Sequence, residues 1–308
     1  MKDFGPVVPI VTPCTLEGEI DLDGFSAICA EMLDAGSTGI FIAGSTGRGP
    51  WFDSSELHKL CRCASDQVKN RATLIAGCTA SGLPRMLDNA RSMADAGAEI
   101  VVATVPGYFH YNQSEIEKIY LKFADGSPLP VIVYDIPEFT NVKFANSMLL
   151  KLANHENIIG FKDSSADFNR FKALAEALQH IEGFHLMQGK ENLLADSLRI
   201  GASGFIVSLI HLEPAPFINL YRAVHAGNYK AGSRIQAEIN KVIQLVKETI
   251  ERRPESSTLF HMLNYAVKQR GRCKNILLDH DGEAPAWVIE NTQRAIEICK
   301  DAPEFVQG

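Results

Sequence analysis

No apolar run in this sequence is long enough to span a membrane, and the charged start Met1-Lys2-Asp3 is not that of a signal peptide. Basic clusters are missing too. With a net charge of −7, the chain has no electrostatic footprint for a nucleic acid or an anionic membrane surface. The seven cysteines are odd in number and scattered. Cys61-x-Cys63 is the one close pair, and on a helix those two positions point to different faces. That spacing excludes a disulfide framework and a zinc site, and it fits a reducing cytoplasm. There is no linker and no low-complexity segment. His110, His155, His185 and His211 stand alone and read as structural, so neither a metal nor another cofactor is expected.

What is present suits one large α/β barrel with an appendage better than two small domains. The chain has 308 residues, 46% of them hydrophobic and 22% charged, enough apolar material for a sizeable core. Short strand-like runs fall at Pro6–Val11, Gly39–Ala43, Thr73–Cys78, Ile100–Val105, Pro130–Ile136, Ile158–Lys162, Phe184–Met187 and Gly204–Leu209. Helical patterns lie between them. Phe25, Ile28, Cys29, Met32 and Leu33 line one face of the first, and Asp53-x-x-Glu56 is a capping box opening the second. Ser114-x-x-Glu117 marks the fourth helix start. Further helices are expected near 83–96, 146–153, 167–180 and 191–200. Gly36, Gly97 and Gly201 sit where helices need left-handed caps before the next strand.

Eight strands, each followed by a helix, predict an α/β fold, a (β/α)8 TIM barrel with a C-terminal helical extension. Helices near 215–226, 228–252, 257–270 and 285–300 then follow, interrupted by Pro254 and by Asp279-His280-Asp281-Gly282. The expected division is a catalytic barrel over residues 1–227 and a helical appendage over 228–308.

Chemistry is expected at strand C-terminal ends. The run Ile158-Ile159-Gly160-Phe161-Lys162-Asp163 reads as a strand buried on both faces that delivers one lysine at its tip. An amine half inside an apolar wall is easily kept free, and a free amine forms a Schiff base with a carbonyl compound. The other reading of Lys162 is a strand-ending ammonium in water. Gly44-Ser45-Thr46-Gly47-Arg48-Gly49-Pro50 follows the second strand. Its glycines allow close approach to a ligand, and its hydroxyls and amides suit a carboxylate. The fifth strand ends in Tyr134-Asp135-Ile136-Pro137, and the fourth in the aromatic loop Pro106-Gly107-Tyr108-Phe109-His110-Tyr111.

In that order and place, these segments resemble the dihydrodipicolinate synthase and N-acetylneuraminate lyase family of pyruvate-dependent class I aldolases. The resemblance runs from about Gly5 to Gly227, and the helical tail also fits. Gly44-Ser45-Thr46-Gly47 is similar to the family's pyruvate loop, Tyr134-Asp135-Ile136-Pro137 to its Tyr-x-x-Pro segment, and Gly160-Phe161-Lys162-Asp163 to its Schiff-base segment. The resemblance implies that Lys162 forms an imine with pyruvate or another 2-oxo acid and that Tyr134 moves protons. It also implies that Ser45 relays to Tyr134, and that Thr46 and Gly47 help hold the carboxylate. The chemistry is coherent, because a protonated imine is an electron sink and a tuned phenol can serve as the base an aldol step needs.

Departures bear on the substrate. Dihydrodipicolinate synthases carry an arginine two residues after the proline of Tyr-x-x-Pro, and here that position is Phe139. Gly47-Arg48-Gly49-Pro50 is similar instead to the Gly-Leu-Gly-Pro of archaeal 2-keto-3-deoxygluconate aldolases, so a 2-oxo-3-deoxy sugar acid or related hydroxy-oxo acid is the expected substrate. Dihydrodipicolinate synthesis is the alternative, and a non-catalytic barrel that binds an oxo acid is the alternative of another class. Arg48 is read either as a substrate contact or as a solvated loop residue. The resemblance further implies a homotetramer in which Tyr108 or Tyr111 reaches a neighbour's site. Three aromatics in one loop fit an interface.

Overall fold

The computed structural model describes residues 4–15 and 17–305. The Met1-Lys2-Asp3 start, on which the signal-peptide expectation rested, lies outside the described residues. Strands β1 (Pro6–Pro9), β2 (Gly39–Ile42), β3 (Thr73–Gly77), β4 (Ile100–Ala103), β5 (Val131–Asp135), β6 (Ile158–Asp163), β7 (His185–Gln188) and β8 (Gly204–Ile206) pair in parallel, each with its sequence neighbour. β1 pairs with β2 on one side and β8 on the other, which closes the barrel. The strands read as largely apolar because both faces are covered, with most polar residues confined to their ends. In β2, Phe41 points inward to meet Ile75, Val102 and Ile206, while Ile40 and Ile42 face the surrounding helices.

Among the described residues, eight α-helices lie in the seven crossovers between successive strands. They are α1 (Leu22–Ala35), α2 (Ser54–Val68), α3 (Leu83–Asp95), α4 (Gln113–Gly126), α5 (Pro137–Thr140), α6 (Asn146–Leu152), α7 (Phe168–Leu178) and α8 (Leu194–Arg199). The Asp53 capping box is present, its carboxylate accepting from the Ser55 and Glu56 amides while Glu56 returns to the Asp53 amide. Gly36, Gly97 and Gly201 take φ values of 106°, 102° and 101°, as a left-handed cap requires.

Two expectations shift. The box at α4 is Asn112 with Glu115, two residues earlier than Ser114 with Glu117. The Asn112 side chain accepts from the Ser114 and Glu115 amides, so Ser114 is already inside the helix. β8 ends at Ile206, and Ser208–His211 turns instead into a 3₁₀ helix. Apolarity marks burial, which continues through Leu209 and Ile210, whereas the strand lasts only as long as its neighbours offer backbone partners.

α9 (Ala215–His225) follows β8, and the tail beyond it comprises α10 (Tyr229–Arg252), α11 (Ser257–Gln269) and α12 (Ala286–Lys300). Ile235, Ile239, Met262, Leu263 and Ile296 belong to the same continuous core as the outer face of the barrel. Polar sutures place this tail against the C-terminal ends of the strands. The Cys14 amide donates to the Asn275 carbonyl at 2.9 Å, and Arg270 donates to the His211 and Leu212 carbonyls at 2.9 and 3.0 Å. The loops after β1, β2 and β8 therefore have the tail as a wall. Buried His211 is pushed down to about 4 by desolvation, and its Nε2 lies 2.9 Å from the Pro9 carbonyl oxygen. No described helix is long and apolar enough to cross a membrane.

Candidate active site

At the end of β2 the backbone reverses over the barrel mouth. Ala43 takes φ 54° and Arg48 φ 51°, left-handed values that a side chain seldom accepts. Between them the Arg48 amide donates to the Ser45 carbonyl and the Gly49 amide to the Gly44 carbonyl, both at 3.1 Å. Two glycines in this loop are required by contact. A Cβ on Gly49 would lie 1.9 Å from the Ala43 carbonyl oxygen, and one on Gly47 would lie 2.7 Å from that of Ile10. The Thr12 hydroxyl donates to the Gly47 carbonyl at 2.7 Å and ties the loop to the end of β1. Ser45 and Thr46 are left half-buried at its crest.

β5 and β6 bring the other two groups together. Their register pairs Tyr134 with Lys162 and Asp135 with Asp163. Alternation along a strand then sends Tyr134 and Lys162 into the barrel and the two carboxylates outward. Lys162 is 5% exposed, with Nζ 3.9 Å from the Tyr134 ring centroid and 5.3 Å from that of Phe41. A cation over these rings is held by their quadrupoles. The nearest-lying strand-end carboxylates, Asp135 and Asp163, are engaged elsewhere, both by Arg170 of α7 at 2.6 and 2.8 Å. Burial pushes Asp135 up to about 6 against the pull of Arg170.

A cavity of about 840 Å³ opens over these strand ends. Ser45, Tyr134, Thr104, Tyr108 and Phe139 are among its walls, as is Phe41, so the two rings that hold Lys162 face the cavity. Tyr108 is 79% exposed and meets Phe109 edge-on at 4.9 Å. Tyr111 is half-buried and packs on the main core. Of the two tyrosines considered for the site, only Tyr108 lines the cavity.

The expectation for Arg48 is corrected. It is neither a wall of the cavity nor a solvated loop residue. Its guanidinium donates to both carboxylate oxygens of Asp281, at 2.6 and 3.0 Å, and lies over the Phe260 ring, 3.6 Å from its centroid. The reason is geometric. The left-handed backbone at Arg48 turns its side chain toward the tail, where a buried carboxylate takes two of its donors. Burial alone would raise Asp281, but the Arg48 hydrogen bond and the Leu278 amide hold it below its usual range.

Sequence reasoning missed Arg170, Asp281 and Phe41. One signal for Arg170 was available: Tyr134 and Lys162 are each followed by an aspartate, and buried carboxylates demand a cation. Asp281 lies 233 residues from Arg48, and nothing local announces it.

A profile of the dihydrodipicolinate synthetase family matches residues 4–275. Among curated relatives, a 4-hydroxy-tetrahydrodipicolinate synthase of Methanospirillum hungatei is 30% identical over 216 residues, 70% of this chain and 74% of the relative. Solved structures agree in fold. A prophage protein of the dihydrodipicolinic acid synthase family from E. coli K12, solved with pyruvate, has a TM-score of 0.88 at 21% identity, covering 96% of this chain and 98% of that one. A sialic acid aldolase from Ruminococcus gnavus also has a TM-score of 0.88, at 18% identity, with 98% of each chain covered.

Proposed function

This chain belongs to the dihydrodipicolinate synthetase family, and on that premise we propose that Lys162 forms a Schiff base with pyruvate or a related 2-oxo acid. Members of the family are class I lyases that work through a lysine imine, and this chain is an enzyme of that class. The observation that carries the residue assignment is the pairing of Lys162 with Tyr134, amine against phenol ring at 3.9 Å.

In the cleavage direction, the Lys162 amine attacks the 2-oxo carbon and water leaves, giving a protonated imine. Tyr134 accepts the proton of the C4 hydroxyl, with Ser45 as relay. The C3–C4 bond breaks, its electron pair moves into the imine as an enamine, and an aldehyde departs. C3 is then protonated, and hydrolysis of the imine returns the oxo acid and free Lys162. Thr46, Gly47 and the loop amides take the substrate carboxylate.

The substrate class rests on Phe139. It lines the cavity and is 63% exposed, where an aromatic ring offers a distal carboxylate no cation. A 2-oxo-3-deoxy sugar acid or related hydroxy-oxo acid, whose far end is a polyol, fits such a wall. The second reading is dihydrodipicolinate synthesis. It is favoured by the activity named for relatives up to 32% identical, and Arg85 on another wall of the cavity is its candidate cation. The assembly that fits is a homotetramer. Its support is the exposure of Tyr108 and Phe109, 79% and 64%, on the loop after β4. We take residues 1–227 as the catalytic barrel and 228–308 as its appendage, and place the enzyme in the cytoplasm, which suits seven unpaired cysteines.

The test is borohydride reduction in the presence of pyruvate, read by peptide mass spectrometry. An adduct on Lys162 is expected, and none on Lys162→Ala. Absence of the adduct, or its survival in the variant, overturns the assignment. A panel of 2-oxo-3-deoxy sugar acids against pyruvate with aspartate semialdehyde separates the two substrate readings.

A further inference from the structure

Most outward-facing positions of the barrel strands are apolar where they meet the helices, as at Ile40, Leu74 and Val101, and buried Gln188 of β7 is a neutral amide that donates to Ser197. One pair is charged. Asp135 and Asp163 stand directly opposite each other in the β5–β6 ladder, 2% and 4% exposed, each one residue beyond a reacting group. Like charges opposite one another in a ladder repel, and buried charges demand partners. Arg170, 8% exposed, bridges them, one guanidinium nitrogen donating to Asp135 Oδ2 at 2.6 Å and another to Asp163 Oδ2 at 2.8 Å.

We propose that Arg170 is a positioning residue that clamps β5 to β6 through Asp135 and Asp163 and so keeps Tyr134 and Lys162 in reacting register. The proposal rests on the aldolase reading for its catalytic consequence. Stability alone does not account for the bridge, because apolar side chains of similar volume commonly stabilise as well as a buried ionic group or better. The arrangement is also incompletely satisfied, as Asp135 Oδ1 and Arg170 Nε are buried without a hydrogen-bond partner. Two carboxylates share one cation here, in line with the raised Asp135. An apolar trio would fill the space with no such burden, but it would not impose a register. A fork that grips one oxygen on each strand does impose one.

Arg170 itself is anchored. Its amide donates to the Asp167 cap of α7 at 3.0 Å, and Asp167 is held in turn by Lys143 at 2.6 Å. On the strands, Phe144 donates its amide to Asp135 Oδ2, and the Ser165 amide donates to Asp163 Oδ1. The clamp thus joins two strand ends to a helix start and the loops on either side.

Arg170→Lys keeps a cation but cannot fork, and Arg170→Met removes the charge. For each folded variant, turnover is measured well below its melting temperature and divided by the fraction of Lys162 trapped with pyruvate and borohydride. Misplacement of about 1 Å is enough for on the order of 10²-fold in rate, so kcat per trapped site should fall roughly 10- to 100-fold while KM changes little. A per-site kcat within a factor of two of wild type for Arg170→Lys, or a loss confined to KM, overturns the proposal. Amide hydrogen exchange gives a reading independent of catalysis. Ser164, whose amide donates to the Asp135 carbonyl at 2.9 Å, should exchange faster in Arg170→Lys while the β2–β3 ladder is unchanged. Unchanged Ser164 protection overturns the clamp. If wild type traps no adduct while Ser164 deprotects in the variant, the clamp stands and the aldolase reading falls.

Discussion

Cutting the Arg48–Asp281 pair should weaken the enzyme as a whole and the loop after β2 in particular. The pair is bidentate, and its side chains are 13% and 1% exposed. Removing one partner of a buried ion pair costs about 3–5 kcal/mol, because the other charge is left without compensation. The small access of Arg48 to water argues for the lower end, roughly 3 kcal/mol for Asp281→Ala. An unfolding entropy of about 2.1 cal/mol/K per residue gives roughly 0.65 kcal/mol/K over 308 residues, so Tm should drop by about 5 °C. Arg48→Met should behave similarly, since it leaves Asp281 with only the Leu278 amide and the half-exposed His280, whose Nε2 lies 3.7 Å away. The double variant buries no charge at this place and should lose less than the sum of the singles, with a coupling of at least about 1.5 kcal/mol. Scanning calorimetry on the four proteins decides it. Additive losses, or single-variant shifts below about 1 °C, would refute the account of this pair as a buried latch. The sign with pH follows from Asp281. Its folded pKa is depressed below 3.8, so its contribution is present above that value and fades as pH falls through the folded pKa. The difference between wild type and Asp281→Ala should shrink accordingly in acid.

Tyr134→Phe removes the proposed proton carrier but leaves the amine, so turnover should fall about 10²- to 10⁴-fold while borohydride still traps Lys162. Loss of trapping with intact fold would show that the phenol is needed for imine formation itself. Phe139→Arg supplies a cation at the cavity wall and should shift the substrate panel toward aspartate semialdehyde; an unchanged preference would place the determinant elsewhere. Asp135 is raised from 3.8 to about 6, so the folded chain holds that proton more tightly than the unfolded chain does. The associated stability is fully present below about pH 4 and lost as pH rises through about 6. Urea melts of Asp135→Asn across that window should lack this downward slope, and an identical slope in both proteins counts against the raised carboxyl.

The closed barrel was legible because its strands are buried on both faces, and the runs Ile100–Ala103 and, at the start of β5, Val131-Ile132-Val133 stand out as unbroken apolar segments between amphipathic helices. Glycine caps and the Asp53 box were legible because they act over three or four residues. Element ends were less so. Ser114-x-x-Glu117 satisfies the capping pattern as well as Asn112-x-x-Glu115 does, and only the backbone hydrogen bonds choose between them.

Within the site, the sequence by itself determined which chemistry each strand end presents: hydroxyls after β2, a phenol on β5, an amine on β6. Where each group falls follows from where a short apolar run stops, a local property of the chain, and the reading of the three as one site follows from the resemblance to the family. Only the tertiary structure decided how these groups are held. The Tyr134–Lys162 pairing depends on the register between β5 and β6, and that register is braced by Arg170, which reaches both strands from a helix. Arg48 became a latch to the tail because Asp281 arrives from the far end of the chain and the backbone at Arg48 turns away from the cavity. Charged side chains pair with whatever folding brings within a few ångströms, and sequence distance carries no information about that.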